Sequence, residues 1–535
     1  MRFSNASPKW FGLFGLSLML VLMPVLGALW AFVSYLDNAQ WLDYVSDRYL
    51  WRVVWFSWWQ AALSTLISVL CALLVARALA RRKSFWGRWL LLRCFSVALV
   101  VPSIIAVYGI ILLHGKNGYF NQLWVYFGGE AHSYVYGLIG ILLAHVFFNL
   151  PLSTRIILQR FDTINSETWR LSNQLGMSSM QLWRHIEWPH IKSILPQLCA
   201  LVFALCFTSF AIVMTLGAGP KATTIEVAIF QAIRFDFDIA KAVYLSVLQM
   251  GFCGLILWMG LRLGKPVDVF VSIDATTKNL RPDLNSVWAK AFDAGILCVA
   301  TLLVLLPLLA VIIAAINPAW LDVLADLRLW NAFGNSLWVA LGSALLSLLM
   351  AAGLLLAHRH LNVINPKAAL AVEWMGSVIL VVPPLVLATG LFIGLSPHVN
   401  VFEINLYIVV WVNALMGLPY VLRVMSVAYL KIESDYGRLC TSIGVQGWHR
   451  FSKIEWPILR KPIGLALALV GAMSAGDLGV VALFGQPDLQ TLPLLMYQRL
   501  GSYQADAAGV TASVLLVLCL FIFVVFERVC GGKDD

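Results

Sequence analysis

The chain has 535 residues, of which 61% are hydrophobic and only 12% charged, with a mean hydropathy of +0.84. A soluble domain cannot hide that much apolar surface, which excludes a water-soluble globular protein and leaves a polytopic membrane protein. The formal net charge of +10 would suit a nucleic-acid partner, but the placement of the charges argues for a lipid surface and against nucleic acid.

Stretches free of Asp, Glu, Lys and Arg that are long enough to cross a bilayer follow one another along the chain. In the first half they are Trp10–Leu36, Val53–Ala76, Cys94–Leu113, Ala131–Thr154, Ser193–Pro220 and Ala242–Leu261. In the second half they are Ala294–Leu321, Leu329–Ala357, Trp374–Phe402, Ile404–Leu422, Pro462–Pro487 (interrupted by Asp477) and Ala507–Phe526. Backbone groups in hydrocarbon must be satisfied within their own segment, so the spans are helices. The expected fold is an all-α polytopic membrane protein with 12 transmembrane helices, six per half. The first span follows Arg2 and Lys9 as a signal sequence would, but it is too long for a signal core and reads as retained. The nine cysteines form no C-x-x-C pair and read as small hydrophobes, without a disulfide framework or metal site.

Basic residues set the expected orientation. With the N-terminus inside, cytoplasmic segments hold 29 of the 37 Lys and Arg. The other face keeps Arg48, Arg52, Lys116, Lys221, Arg234, Lys241, Arg328 and Arg499. By the positive-inside rule both termini are cytoplasmic.

An internal repeat organises the chain. Residues 170–189, RLSNQLGMSSMQLWRHIEWP, recur at 438–457 as RLCTSIGVQGWHRFSKIEWP. Arg170, Leu171, Gly176, Ile186, Glu187, Trp188 and Pro189 match Arg438, Leu439, Gly444, Ile454, Glu455, Trp456 and Pro457 at an offset of 268. Leu150-Pro151 matches Leu418-Pro419 at the same offset; upstream it becomes 281, pairing Ser96, Val101-Pro102 and Gly109 with Ser377, Val382-Pro383 and Gly390. An even number of spans per half preserves orientation, so the halves are parallel repeats. The expected boundaries are 1–264 and 294–535, joined by a cytoplasmic linker over 265–293 with Pro266 and Pro282.

Both repeated loops fall on the expected cytoplasmic side. Gly176 and Gly444 permit a sharp turn between short helices, and Pro189 and Pro457 suit the first turn of the next helix. Apolar side chains between them give each loop a face that fits a partner's groove. The bland alternative is an amphipathic helix lying on the inner leaflet. Two copies favour docking, because a two-fold partner needs two sockets.

The G-x9-I-x-[LW]-P pattern in a cytoplasmic loop resembles the signature of permease subunits of binding-protein-dependent ABC importers, and it occurs in both halves. The resemblance implies that each loop forms a coupling helix seated on an ATP-hydrolysing subunit. It also implies two copies of a cytoplasmic ABC ATPase, a periplasmic substrate-binding protein and transport by alternating access. No cofactor is expected on this chain; ATP and Mg belong to the partner. The chain has no G-x4-G-K-[ST] of its own, so it is not expected to be an enzyme. At the family's Glu-Ala-Ala positions stand Arg170-Leu171-Ser172 and Arg438-Leu439-Cys440, with Glu167 and Asp435 nearby. Gly217 to Glu226, Gln231-Ala232 and Asp236-Phe237-Asp238 are similar to thiamine-importing members, which suggests thiamine or its phosphate esters as substrate. Related fused permeases serve ferric iron, the alternative.

Four residues are candidates for a pathway. Asp477 is the acid deep in an apolar run, matched by Ser209 in the first half; it either attracts a cationic substrate or caps a helix resumed after Gly476. His145 and Asn413 are matched at an offset of 268 and either line a polar path or make interhelical hydrogen bonds. An ion-coupled secondary transporter also has parallel six-helix repeats, but it usually carries several ionisable groups at the midplane. An intramembrane enzyme would need a nucleophile–base or metal constellation that does not stand out here.

Overall fold

A computed structural model describes residues 9–35, 41–217, 219–264, 281, 283, 286–365, 367–369, 372, 379–445, 447–486 and 489–531. Most of the expected linker, including Pro266 and Pro282, lies outside the described residues, as do Ala218, Ser377 and Pro487. The principal helices are α1 (Lys9–Ser34), α2 (Arg48–Arg81), α3 (Arg88–Ala98), α4 (Ser103–His114), α5 (Leu138–Asp162), α6 (Leu195–Phe207), α7 (Phe210–Leu216), α8 (Ile225–Arg234) and α9 (Ile239–Leu263). The second half continues with α10 (Val287–Ala314), α11 (Leu327–Ile364), α12 (Pro384–Leu395), α13 (Asn405–Ile443), α14 (Trp456–Ala475), α15 (Gly479–Phe484), α16 (Leu492–Gly501) and α17 (Ala505–Gly531).

Among the described residues nine helices are long and apolar enough to cross a membrane, or eleven if each of two bent pairs is one span. The expected span Trp374–Phe402 appears as the short apolar helix α12 behind residues outside the described set. Three other expected spans are interrupted. Cys94–Leu113 breaks before Pro102, and the chain turns by 117° between α3 and the helices that follow. Ser193–Pro220 breaks at Thr208 and Ser209, between α6 and α7. Pro462–Pro487 breaks at Gly476–Leu478, between α14 and α15. Proline lacks the donor that would continue a helix, and glycine carries the largest entropic cost inside one, which accounts for the breaks at Pro102 and Gly476; the break at Thr208 and Ser209 contains neither residue.

The breaks obey the repeat. Helices α4 and α12 begin and end 281 residues apart, and the breaks after α6 and α14 are 268 apart. On α2 and α11 the serines Ser57, Ser64 and Ser68 correspond to Ser336, Ser343 and Ser347, all buried. Small residues let helices approach closely in lipid, and a buried hydroxyl still needs a partner. Ser57 Oγ accepts from the Ile225 amide (2.9 Å) and Ser336 Oγ from the Leu492 amide (2.8 Å), so each caps the start of its half's short helix, α8 or α16.

The first helix of each half packs on the other half. Helix α1 lies against α11 and α12, and α10 lies against α2 and α4. Trp411 Nε1 donates to the Leu20 carbonyl (3.0 Å) on one side. On the other, Arg81 and Arg82 grip Asp293 at 2.6 and 3.0 Å. Glycines at matched positions make both contacts possible. A Cβ on Gly109 would stand 2.3 Å from the Pro307 carbonyl oxygen, and one on Gly390 would stand 2.3 Å from the Ala28 Cβ.

Gly109→Ala and Gly390→Ala should therefore each cost about 1–3 kcal/mol through overpacking. Gly334→Ala, where a Cβ meets nothing within 4 Å, should be neutral or slightly stabilising; thermal unfolding of the purified protein in detergent distinguishes them.

Candidate functional site

The repeated motif folds into the same hairpin twice. The helix Ser166–Gln174 in the first half and the end of α13 in the second each stop at a glycine with left-handed backbone, Gly176 at φ 61° and Gly444 at φ 71°. The Met177 amide reaches back to the Ser172 carbonyl (3.1 Å) and the Val445 amide to Cys440 (3.0 Å). Those bonds complete a Schellman cap, which needs a residue free to adopt positive φ. In the first hairpin Ser178 and Gln181 then form a reciprocal capping box that restarts the helix. The second restarts at Gly447–Arg450.

Both restarted helices widen into a π turn just before the proline, Trp183–Glu187 and Phe451–Glu455. Pro189 and Pro457 have no amide to give, and an ordinary α turn would press their rings on the carbonyl four residues back. The wider turn relieves that clash, with Trp188 donating to the Trp183 carbonyl and Trp456 to Phe451. It also rotates the preceding glutamate inward.

Glu187 and Glu455 are consequently buried, and each is clamped by two arginines. Glu187 accepts from Arg77 Nε (2.8 Å) and Arg281 Nη2 (2.5 Å). Arg77 also donates to the Ser179 carbonyl (2.9 Å). Arg281 stacks 4.4 Å above the buried Trp169 ring and pairs with Asp283 at 3.0 Å. Burial alone would raise the Asp283 carboxyl, but the hydrogen bond and charge of Arg281 outweigh it and hold it below the usual carboxylate range. Glu455 is held by Arg359 and Arg450, both at 2.8 Å. The same two arginines hold Glu433 at 2.9 and 2.7 Å.

The clamps are equivalent in chemistry and different in origin. Leu182 stands in the first half where Arg450 stands in the second, so the first hairpin lacks an arginine of its own there. Arg281, from the segment joining the halves, fills that role.

Other motif residues face outward. Arg170, Leu171, Gly176 and Pro189 are exposed, as are Arg438, Leu439, Gly444, Trp456 and Pro457; Trp188 and Ile454 are half-buried and Ile186 is buried. Glu167 and Asp435 are exposed as well. Three matched apolar pairs stand out on this surface. Leu171 and Leu439 are 57% and 53% exposed, Leu175 and Ile443 are 68% and 65%, and Met180 and Trp448 are 72% and 74%. Side chains of this size left open at the same places in two copies form a pair of equivalent exposed apolar patches.

The pathway candidates divide between two places. Asp477 sits in the break between α14 and α15, where its Oδ1 accepts from the Gly479 amide (3.1 Å), and its Oδ2 has no hydrogen-bond partner. Asn413 lies beside it, and Ser209 occupies the corresponding break of the first half. His145 lies apart, fully buried, with Nδ1 2.8 Å from Ser64 Oγ. The arginine clamps escaped sequence reading. Arg77 and Arg359 count there only as cytoplasmic charges at the ends of spans, and Arg281 is 94 residues from the carboxylate it meets.

Comparison with known proteins extends these observations. The profile of the family described as "binding-protein-dependent transport system inner membrane component" matches residues 68–261 and 349–529, one segment in each half. The thiamine transport system permease protein ThiP of Escherichia coli is 42% identical over 509 residues, covering 94% of each chain. That of Salmonella typhimurium is 41% identical, covering 94% of this chain and 95% of its own. That of Brucella abortus is 38% identical, covering 91% and 89%.

Replacing Glu187 with Ala should destabilise the protein by about 3–5 kcal/mol, because the half-buried Arg77 loses its carboxylate partner and the buried Arg281 is left with Asp283 alone. Exposed Glu167→Ala should change it by less than about 0.5 kcal/mol. Chemical or thermal unfolding in nanodiscs checks the contrast.

Proposed function

The chain belongs to the family of binding-protein-dependent transport system inner membrane components, and from that premise we propose that it is the membrane-spanning subunit of an ATP-driven thiamine importer. The substrate reading rests on the named function of relatives that align over nearly the whole chain. Thiamine or its phosphate esters would arrive on a periplasmic binding protein and leave into the cytoplasm by alternating access. Both termini and both hairpins are then cytoplasmic, in the bacterial inner membrane.

The observation that carries the mechanism is the duplicated outer face of the hairpins. Leu171, Leu175 and Met180 in one copy, and Leu439, Ile443 and Trp448 in the other, offer six exposed apolar side chains. Two copies of an ATPase subunit fit that pattern, one groove per hairpin, with ATP and Mg bound on the ATPase and none on this chain. One fused chain supplies both hairpins, so one copy suffices per complex.

The inward face explains how a push would travel. Glu187 and Glu455 lock each hairpin to α2 and α11 through Arg77 and Arg359. Closure of the ATPases on ATP would move each hairpin as a rigid lever, and the clamp would pass that movement to a membrane helix. Arg170 and Arg438 replace the family's acid on the exposed side, so contact with the ATPase would rely on apolar burial and on these cations.

Leu175→Asp with Ile443→Asp should lower ATP-driven thiamine uptake at least about tenfold in proteoliposomes containing the ATPase and binding protein. Thermal stability should hold within about 0.5 kcal/mol, since both sites are exposed. Unchanged uptake would count against the docking role, and uptake driven by an ion gradient without the ATPase would overturn the importer reading.

A further inference from the structure

A cavity of about 730 Å³ opens between the two halves. Its walls are rings: Phe210 and Phe230 from the first half meet Phe392, Phe402 and Tyr497 from the second. Phe210 and Phe230 stand edge to face, with centroids 5.3 Å apart, and Phe392 and Phe402 likewise at 6.1 Å. The volume is that of a pocket for one small organic molecule.

The mouth of the cavity is built unusually. Residues 235–238 read Phe-Asp-Phe-Asp, and Phe235 and Phe237 line the cavity while remaining exposed. Phe237 has φ 54°, a left-handed backbone that a bulky side chain rarely adopts. The strain is held in place by Asp238, which caps α9 through the Lys241 amide (2.9 Å) and accepts from Tyr44 Oη (3.0 Å). Arg234 is the cation in the lining, and its guanidinium is turned onto the Gly485 carbonyl (2.7 Å).

Two carboxylic acids are buried behind the walls. From the position a Cβ on Gly479 would take, the Phe210 ring is 3.5 Å away and Asp477 Oδ1 is 3.7 Å away. Acid and ring therefore flank the same glycine, and Leu478, next in the chain, lines the cavity. Glu226 is one helical turn before Phe230 on α8, fully buried and bonded to Gln249 Nε2 at 2.7 Å, so its polar demand is met within the protein. No cationic side chain pairs with either carboxylate among the ion pairs of the described residues.

We propose that this cavity is a binding site, within the permease itself, for a flat aromatic cation, with the ring held among Phe210, Phe230 and Phe392 and its charge drawn toward Asp477. Ring faces attract a desolvated cation and accept a flat ring by stacking, and Asp477 is a carboxylate with which no cationic side chain pairs among the ion pairs of the described residues. The inference rests on the thiamine reading and sharpens it, because selectivity would then reside partly in the membrane subunit.

The test measures radiolabelled thiamine binding to the full-length purified chain in lipid nanodiscs, without the ATPase or the binding protein, with neutral thiochrome as a flat control. Saturable thiamine binding is expected, weakened about tenfold or more by Phe392→Ala or Phe230→Ala and restored by Phe392→Tyr. Asp477→Asn should weaken thiamine by a similar factor and leave thiochrome unchanged. Absence of saturable binding, or binding by both Ala variants as tight as by the unaltered chain, would overturn the site. Loss of thiochrome together with thiamine in Asp477→Asn would overturn the charge assignment. Thiamine uptake by the complete transporter is measured in parallel: uptake without binding to the isolated chain sinks the site alone, whereas a complete transporter that moves no thiamine sinks the substrate reading beneath it.

Discussion

Each hairpin is built around a carboxylate that has been taken out of water. An ion in a dry environment is tolerable only if paired and hydrogen-bonded, and removing one partner from a buried pair is far more costly than losing a surface salt bridge. Glu187 and Glu455 meet that demand with two arginines each. Much of the local architecture follows from it. The positive-φ glycine turns the chain back, the proline forces the π turn, and the π turn aims the carboxylate at an arginine on a long membrane helix. An exposed apolar face and a rigid internal joint thus occupy opposite sides of a single short hairpin.

Scale separates the hairpins from the bilayer. Helix α13 has 39 residues and spans about 58 Å at 1.5 Å per residue, nearly twice the ~30 Å of a hydrocarbon core. Its last turns therefore carry the second hairpin clear of the membrane. The first half reaches the same distance differently, interrupting its helix at Thr163–Asn165 between α5 and Ser166–Gln174. Above the hairpins the halves are interlocked rather than side by side, because α1 and α10 have exchanged places. Each half's first helix braces the other's broken one, α1 on α12 and α10 on α4.

Much of this was legible in the sequence, for identifiable reasons. The twelve apolar stretches and the twin Gly-to-Pro loops are local patterns, and lipid and backbone hydrogen bonding leave few ways to satisfy them. The helix breaks were signalled at Pro102 and at Gly476, though charge-free length alone conceals them. What could not be read depends on contacts between distant positions. Arg281 is one cation in a polar segment until the fold sets it on Trp169 and Glu187. Arg450 looks like part of a repeated motif, yet its counterpart is Leu182. The inward direction of Glu187 was hidden as well, since a conspicuous acid in a polar loop reads as surface until the π turn rotates it. The exchange of α1 and α10 leaves no trace in hydropathy at all.

The origin of Arg281 gives the two hairpins different histories during synthesis. The second is complete as it emerges: Arg359 has already been made, and Arg450 leaves the ribosome just ahead of Glu455. The first must wait until the chain has grown by a further 94 residues, roughly 5–20 s at ordinary elongation rates. For that interval Glu187 has Arg77 alone, and the clamp is completed only when Arg281 reaches Glu187 and the Trp169 ring. The amino-terminal hairpin is thus finished by the arrival of Arg281, just ahead of the second half, an ordering built into translation itself.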